Sequence, residues 1–483
     1  MPGDRTSSTT VGAAAGAAAA AGSGPDLAAD WVRRDAAVVW HGFTQMAAYA
    51  DNAPVVVDRA EGRYLIDVAG RRYFDAISSL WVTTLGHRVP ELDAAVTDQL
   101  ARVAHSTMLG NGNRVVVELA EALAGVVPVD GPHFLFASDG ATAVEQALKI
   151  AFQYWTNRGE AGRDRYLALG DAYHGDTVGS ISVGDSGFGT EVFDPLRFPV
   201  VRTPGYADPA WADAAVAAVQ ANHERLAALV IEPLVQGASG MLVAEPEDVA
   251  RVAGACRSHG VLVVCDEVAT GFGRTGRLFA SEWCGLRPDL LCLGKGITGG
   301  YLPMSVTVAA DHVHRAFLGE DLGPRTFYHG HSYGGNALAA AVALAHLRLL
   351  ERDGVLANVQ ERAEQLRQAL AERVAGLDGV AEVRQRGLLA GVALDPPEGG
   401  RRWGRRVCAA AVASGVLLRP LGDVVVLVPP LTTTAEEVDT VVDVLAAAIG
   451  AVAAEDAPAG TEGRPGGAGG GHAAGTVPEG HRG

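Results

Sequence analysis

Five short apolar runs, each closed by a polar residue or glycine, constrain this chain more than any other feature. They are Phe134-Leu-Phe136, Tyr166-Leu-Ala-Leu169, Leu229-Val-Ile231, Val261-Leu-Val-Val264 and Leu290-Leu-Cys-Leu293. Runs that are apolar on every residue suit strands covered on both faces of a sheet. Amphipathic stretches lie between them, such as Ala143 to Trp155 and Pro246 to Ser258. Strand, helix and strand in succession predict an α/β domain with a mostly parallel central sheet, over about residues 96–325. Residues 26–95 form an N-terminal segment expected to join a smaller domain. Connecting helices follow over 326–379, with Ala337 to Arg373 as one or two long ones. A smaller α+β domain is expected over 380–452, with β runs Leu388 to Leu394 and Val424 to Val428. The Ala/Gly-rich stretches 1–25 and 453–483 read as disordered extensions.

Composition narrows the function classes. The 483 residues carry a formal net charge of −17, which argues against nucleic acid and anionic membrane surfaces as partners. No apolar stretch is long and uniform enough to span a bilayer. Five cysteines form no CxxC pair and read as reduced thiols of a cytoplasmic protein.

Only two lysines occur, Lys149 and Lys295, against 37 arginines. Arginine stays protonated at any workable pH, whereas a desolvated lysine can act as an amine nucleophile. Lys149 sits in an ordinary helical pattern. Lys295 ends an apolar run between Gly294 and Gly296, which suits an amine presented at a strand end.

Asp266 directly follows the run 261–264 and Cys265, placing a carboxylate at the carboxyl edge of the sheet, where α/β folds bind ligands. Such an acid can equally be a turn or helix cap. Lys295, 29 residues on, ends its own run and can face the same crevice. An amine and a carboxylate there fit pyridoxal phosphate: the lysine joins the aldehyde, and the acid keeps the ring nitrogen protonated. Ser138-Asp-Gly140-Ala141-Thr142 opens a helix after a β run and offers free N–H groups to a phosphate, with the Thr142 hydroxyl in addition. Tyr173, after another run, can stack on a flat ring or simply pack. Gly271-Phe-Gly273-Arg-Thr-Gly276 matches the dinucleotide fingerprint GxGxxG, but Asp266 to Thr270 separates it from its strand and no long helix follows, so nicotinamide binding is not expected.

Asp266-Glu-Val-Ala-Thr-Gly-Phe-Gly-Arg-Thr-Gly276, followed by Leu293-Gly-Lys295-Gly-Ile-Thr-Gly-Gly300, resembles the class III aminotransferases, which are fold type I pyridoxal-phosphate-dependent transferases. Trp40-His-Gly-Phe-Thr-Gln-Met46, Ser78-Ser-Leu-Trp81, Tyr173-His-Gly-Asp-Thr177, Tyr328-His-Gly-His-Ser332 and Leu418-Arg-Pro420 resemble the branch that aminates 8-amino-7-oxononanoate in biotin synthesis. The resemblance covers about residues 30–450. It implies that Gly140 and Ala141 hold the cofactor phosphate, Tyr173 lines ring and substrate, Asp266 pairs with the ring nitrogen, and Lys295 is the catalytic lysine. It implies a homodimer in which Gly330, His331 and Ser332 reach the partner's site, with Ser332 on the phosphate. Phe43, Trp81 and Arg419 would contact the substrate, Arg419 through its carboxylate.

The chain departs from that branch at Phe43 and Val426, where phenols are expected, and at Ala141, where a serine can help hold phosphate. S-adenosylmethionine and lysine both stay open as amino donors. A class III enzyme of the ω-amino acid:pyruvate type stays open as an alternative, and a cofactor-binding regulator without catalysis is a more distant one.

Overall fold

The structure, a computed structural model, describes residues 24–185, 189–397 and 400–456. The expected extensions therefore lie largely outside the described residues. Where they overlap, the chain is helical. One helix spans Gly24–Val38 and another spans Ala435–Glu455. The second starts at a capping box between Thr434 and Glu437, and its buried stripe from Val438 continues to Val452. That packing carries the helix past the boundary at 453 that composition suggested.

The large sheet contains β1 (His133–Ala137), β2 (Arg165–Leu169), β3 (Val201–Thr203), β4 (Leu226–Ile231), β5 (Leu262–Asp266), β6 (Leu290–Leu293) and β7 (Ser305–Ala309). Their spatial order is β1-β7-β6-β5-β4-β2-β3. All neighbours are parallel except β7, which runs antiparallel to both β1 and β6. All five apolar runs are strands, and the sheet is mostly parallel as expected.

Period-two alternation divides each strand between two cores. Leu229, Ile231, Val263 and Cys265 face one cluster. Ala228, Val230, Leu262 and Val264 face another, together with Ala143, Val144 and Ala147 of the helix α1 (Gly140–Asn157). This parity decides the fate of the residues that end each strand. Asp266 shares a face with Leu262 and Val264, whereas Glu267 shares one with Val263 and Cys265.

Outside the large sheet, antiparallel strands at Val57–Glu61, Tyr64–Asp67 and Arg72–Asp75 are joined in parallel by Val416–Leu417. The N-terminal segment is thus stitched to the C-terminal part of the chain. A further antiparallel sheet joins Val380–Arg386, Leu389–Leu394, Val424–Leu427 and Arg419–Leu421. Two helices, Ala337–Arg352 and Val355–Arg373, lie between the two parts in sequence. Among the described residues no helix is long and apolar enough to cross a membrane.

Candidate active site

The carboxyl edge of the large sheet borders a cavity of about 460 Å³. Its walls include Trp81, Gly140, Ala141, Tyr173, Asp266 and Lys295, six residues singled out from the sequence and spread over 215 positions of the chain. Each arrives for a local reason. Asp266 is the last residue of β5, and Lys295 follows β6 at the start of a single 3-10 turn, with a left-handed φ of 39°.

Gly140 is the first residue of α1. Asp139 caps the helix: its carboxylate accepts from the Thr142 N–H at 3.0 Å, and the Thr142 hydroxyl donates to the Asp139 carbonyl at 2.8 Å. The Thr142 hydroxyl is thus engaged by the cap. The N–H groups of Gly140 and Ala141 have no partner among the described residues and remain for a ligand. A side chain at 140 would begin 2.6 Å from a Val268 methyl, so only glycine fits there. A side chain on Gly175 would likewise begin 2.4 Å from the Ala141 methyl.

Burial pulls the Lys295 amine below the ordinary lysine range, while the negative charges of Asp266 and Glu232 resist that shift. The ammonium group stands 5.2 Å from the centre of the Trp81 ring. Asp266 is 5% exposed. One of its oxygens accepts from the Val268 N–H at 3.0 Å, and the other lies 2.7 Å from His174 Nδ1. Burial works against a charge on His174, but the Asp266 contact and the Glu232 charge prevail and raise its pKa. The other nitrogen, His174 Nε2, is buried without a partner among the described residues.

His174 and Glu232 belong to this site but escaped the sequence analysis. Glu232 immediately follows the run Leu229 to Ile231, so the strand-end argument used for Asp266 also pointed to it. Its carboxylate accepts from the Tyr173 N–H at 2.9 Å and the Gly237 N–H at 3.3 Å. Burial pushes its pKa up to about 7. His174 lies inside the Tyr173 motif, but its contact with Asp266 spans 92 positions and left no mark in the sequence.

Arg419, on the small sheet, is half-buried and close enough to Tyr173 to feel its phenol. Burial lowers its pKa, and Arg405 adds to the effect. Among the described residues its buried Nε has no partner, and no carboxylate is among the groups acting on it. Val426 lies directly opposite Arg419 on the neighbouring strand and is fully buried.

The remaining expected residues stand outside this cavity. Phe43 is 55% exposed. Gly330 and Ser332 are exposed, and the Ser332 carbonyl accepts from His105 Nε2 at 2.7 Å. His331 lies 3.2 Å from His329, whose other nitrogen is 2.9 Å from the Lys149 amine. The glycines of GxGxxG lead into the short turn Ala280–Glu282 rather than a phosphate-binding helix. Their Arg274 is buried and donates to the Pro429 and Thr83 carbonyls.

A family model described as aminotransferase class-III matches residues 45–449. An adenosylmethionine-8-amino-7-oxononanoate aminotransferase of Nitratidesulfovibrio vulgaris is 43% identical over 88% of this chain and 82% of its own length. The protein of that name from Anoxybacillus flavithermus is 40% identical over 87% of this chain and 96% of its own. Among solved structures, the enzyme of that name from Methanocaldococcus jannaschii superposes with a TM-score of 0.84 at 36% identity, covering 87% of this chain and 98% of the other. A pyridoxal-phosphate-bound amine transaminase from an uncultivated Pseudomonas species superposes with a TM-score of 0.79 at 33% identity, covering 86% and 99%. With the strand-end lysine and aspartate sharing one cleft, these matches lead to one conclusion: the chain belongs to the class III aminotransferases.

Proposed function

We propose that the protein transfers an amino group from S-adenosyl-L-methionine to 8-amino-7-oxononanoate, giving 7,8-diaminononanoate for biotin synthesis. The cofactor is pyridoxal 5′-phosphate, and the cleft fits it. The free N–H groups of Gly140 and Ala141 at the start of α1 suit the phosphate. Tyr173 and Val268 supply ring-sized walls, and the Asp266 carboxylate suits a protonated ring nitrogen. Bound there, pyridoxal phosphate supplies an aldehyde that condenses with amines and a ring that withdraws the electrons left when a proton departs.

Lys295 is the residue that moves protons. Its lowered pKa leaves more of the amine neutral near working pH, so it can accept the proton from the donor's α-carbon and return one to the cofactor side. Asp266 keeps the ring nitrogen charged, and His174 fixes the Asp266 carboxylate in place. For the acceptor, the amine and proton movements run in reverse at the 7-keto carbon.

The observation that carries the choice of acceptor is Arg419, a half-buried guanidinium beside Tyr173 that has no carboxylate partner among the described residues. A substrate carboxylate would complete it, through the paired donors a guanidinium offers. Trp81 would lie along the aliphatic part of that substrate. Phe43, Gly330, His331 and Ser332 stand away from their own cleft beside exposed Trp40, Tyr328 and Tyr333, which supports a homodimer in which they serve the partner's site. All five cysteines are free and buried, which supports a cytoplasmic location.

The test is a product assay. Purified protein given 8-amino-7-oxononanoate and S-adenosylmethionine should form 7,8-diaminononanoate, detected by mass, and Arg419→Ala should raise the acceptor KM far more than it lowers cofactor content. Product with lysine alone would reassign the donor. Amination of pyruvate but not of 8-amino-7-oxononanoate would overturn the reading.

A further inference from the structure

Ser78, Ser79, Leu80 and Trp81 all have left-handed backbone angles, with φ of 48°, 52°, 91° and 68°. None is glycine, and a left-handed turn brings each Cβ too close to the following carbonyl. Four such residues in succession persist only where their surroundings over-determine them. The turn is closed like a helix of the wrong hand, with the Trp81 N–H donating to the Ile77 carbonyl at 2.8 Å and the Val82 N–H to Ser78 at 3.0 Å.

The fully buried carboxylate of Asp75 lies beneath it. One oxygen accepts from the Ser79 N–H at 2.9 Å; the other accepts from the Ser79 hydroxyl at 2.7 Å and lies 3.0 Å from His87 Nε2. From the other side, the Ser78 hydroxyl donates to the Val428 carbonyl at 2.6 Å.

The side chain delivered by this turn is Trp81, packed on Gly237 and over Lys295. Its indole Nε1 is buried and has no hydrogen-bond partner among the described residues. Backbone strain and an unmet buried donor both cost stability, and both fall on one residue that walls the cavity. Stability alone would select neither.

We propose that Asp75, with Ser79 and His87, is a positioning group that locks Ser78–Trp81 in this left-handed turn and thereby fixes the Trp81 indole over Lys295. Its consequence for substrate rests on the reading of Trp81 as a substrate contact. Asp75 itself touches no reacting atom; it acts through Trp81.

The experiment uses holoenzyme labelled with 5-fluorotryptophan, whose seven tryptophans give separate fluorine resonances, with Trp81 identified through Trp81→Phe. Asp75→Asn should shift or broaden the Trp81 resonance and leave the others in place. It should raise the acceptor KM roughly tenfold with little change in kcat, the pattern of lost ground-state binding. In a Trp81→Phe background the same substitution should add no further rise, because the two residues act as one unit. His87→Gln and Ser79→Ala carry the same test if Asp75→Asn does not fold, since each removes one partner of the Asp75 carboxylate. An unmoved Trp81 resonance, or an equal KM effect with and without Trp81, would overturn the proposal. A moved resonance with unchanged KM would support the positioning and remove Trp81 from substrate binding.

Discussion

The two sides of the large sheet at its carboxyl edge treat neighbouring acids in opposite ways. Asp266 and Glu267 are consecutive and both buried; Asp266 ends the strand and Glu267 follows it. Asp266 points to the α1 side and opens on the cleft, beside His174 and Lys295. Glu267 points to the other side, where the Ala280 N–H, the Ser281 N–H at 2.8 Å, and the Ser281 hydroxyl at 2.6 Å close over it. One carboxylate keeps room for a ligand; the other is sealed into the turn that follows. Strand parity, rather than residue type, separates chemistry from architecture here.

Substitutions on the two sides should therefore fail in different ways. The largest loss is expected at Lys295. Lys295→Ala removes the group that moves the proton, and turnover should fall by about 10³-fold or more. Appreciable transamination by that variant in a product assay would break the assignment. Asp266→Asn should follow, with kcat down roughly 10²- to 10³-fold as a fixed charge is lost beside the reacting ring. Steady-state kinetics read this directly, and stability should change far less than activity.

Glu267→Gln should show the opposite pattern, with kcat close to the parent's and a stability loss of ~1–3 kcal/mol as buried donors lose their acceptor. Denaturant midpoints measure it. A large kcat loss with intact stability would mean that Glu267 also serves the cleft. A further effect is expected in pH dependence. Burial raises the Glu267 and Glu232 carboxyls from 4.5 to about 7. The folded state thus binds more protons than the unfolded one across that window. Stability is fully present below about 4.5 and falls as pH rises towards about 7. Glu232→Gln should flatten part of that fall, by up to on the order of 3 kcal/mol between the two limits. Equal slopes in parent and variant would show that the Glu232 carboxyl is not held neutral by burial.

The same parity explains what could be read from the chain. The five runs were legible because both faces of each strand are covered, and Asp266 and Lys295 because each ends such a run. Glu232 obeyed the same rule and was overlooked for want of a recognised partner. His174 was not legible, since a lone histidine after tyrosine carries no sign of a carboxylate 92 positions away. The left-handed turn at Ser78–Trp81 was hidden more thoroughly. Positive φ is usually announced by glycine or asparagine, and this turn contains neither. The role of the Thr142 hydroxyl stayed open because residue order does not show the Asp139 cap that engages it.

In the proposed function, Lys295 and Asp266 form one amino-transfer site that takes its amine from S-adenosylmethionine. The most direct test is the donor half-reaction, followed by absorbance on the purified yellow protein without acceptor. S-adenosylmethionine should bleach the cofactor's visible band, 8-amino-7-oxononanoate should then restore it, and Lys295→Ala should do neither at a comparable rate. A band that stays unchanged with S-adenosylmethionine, at concentrations that saturate binding, would contradict the account.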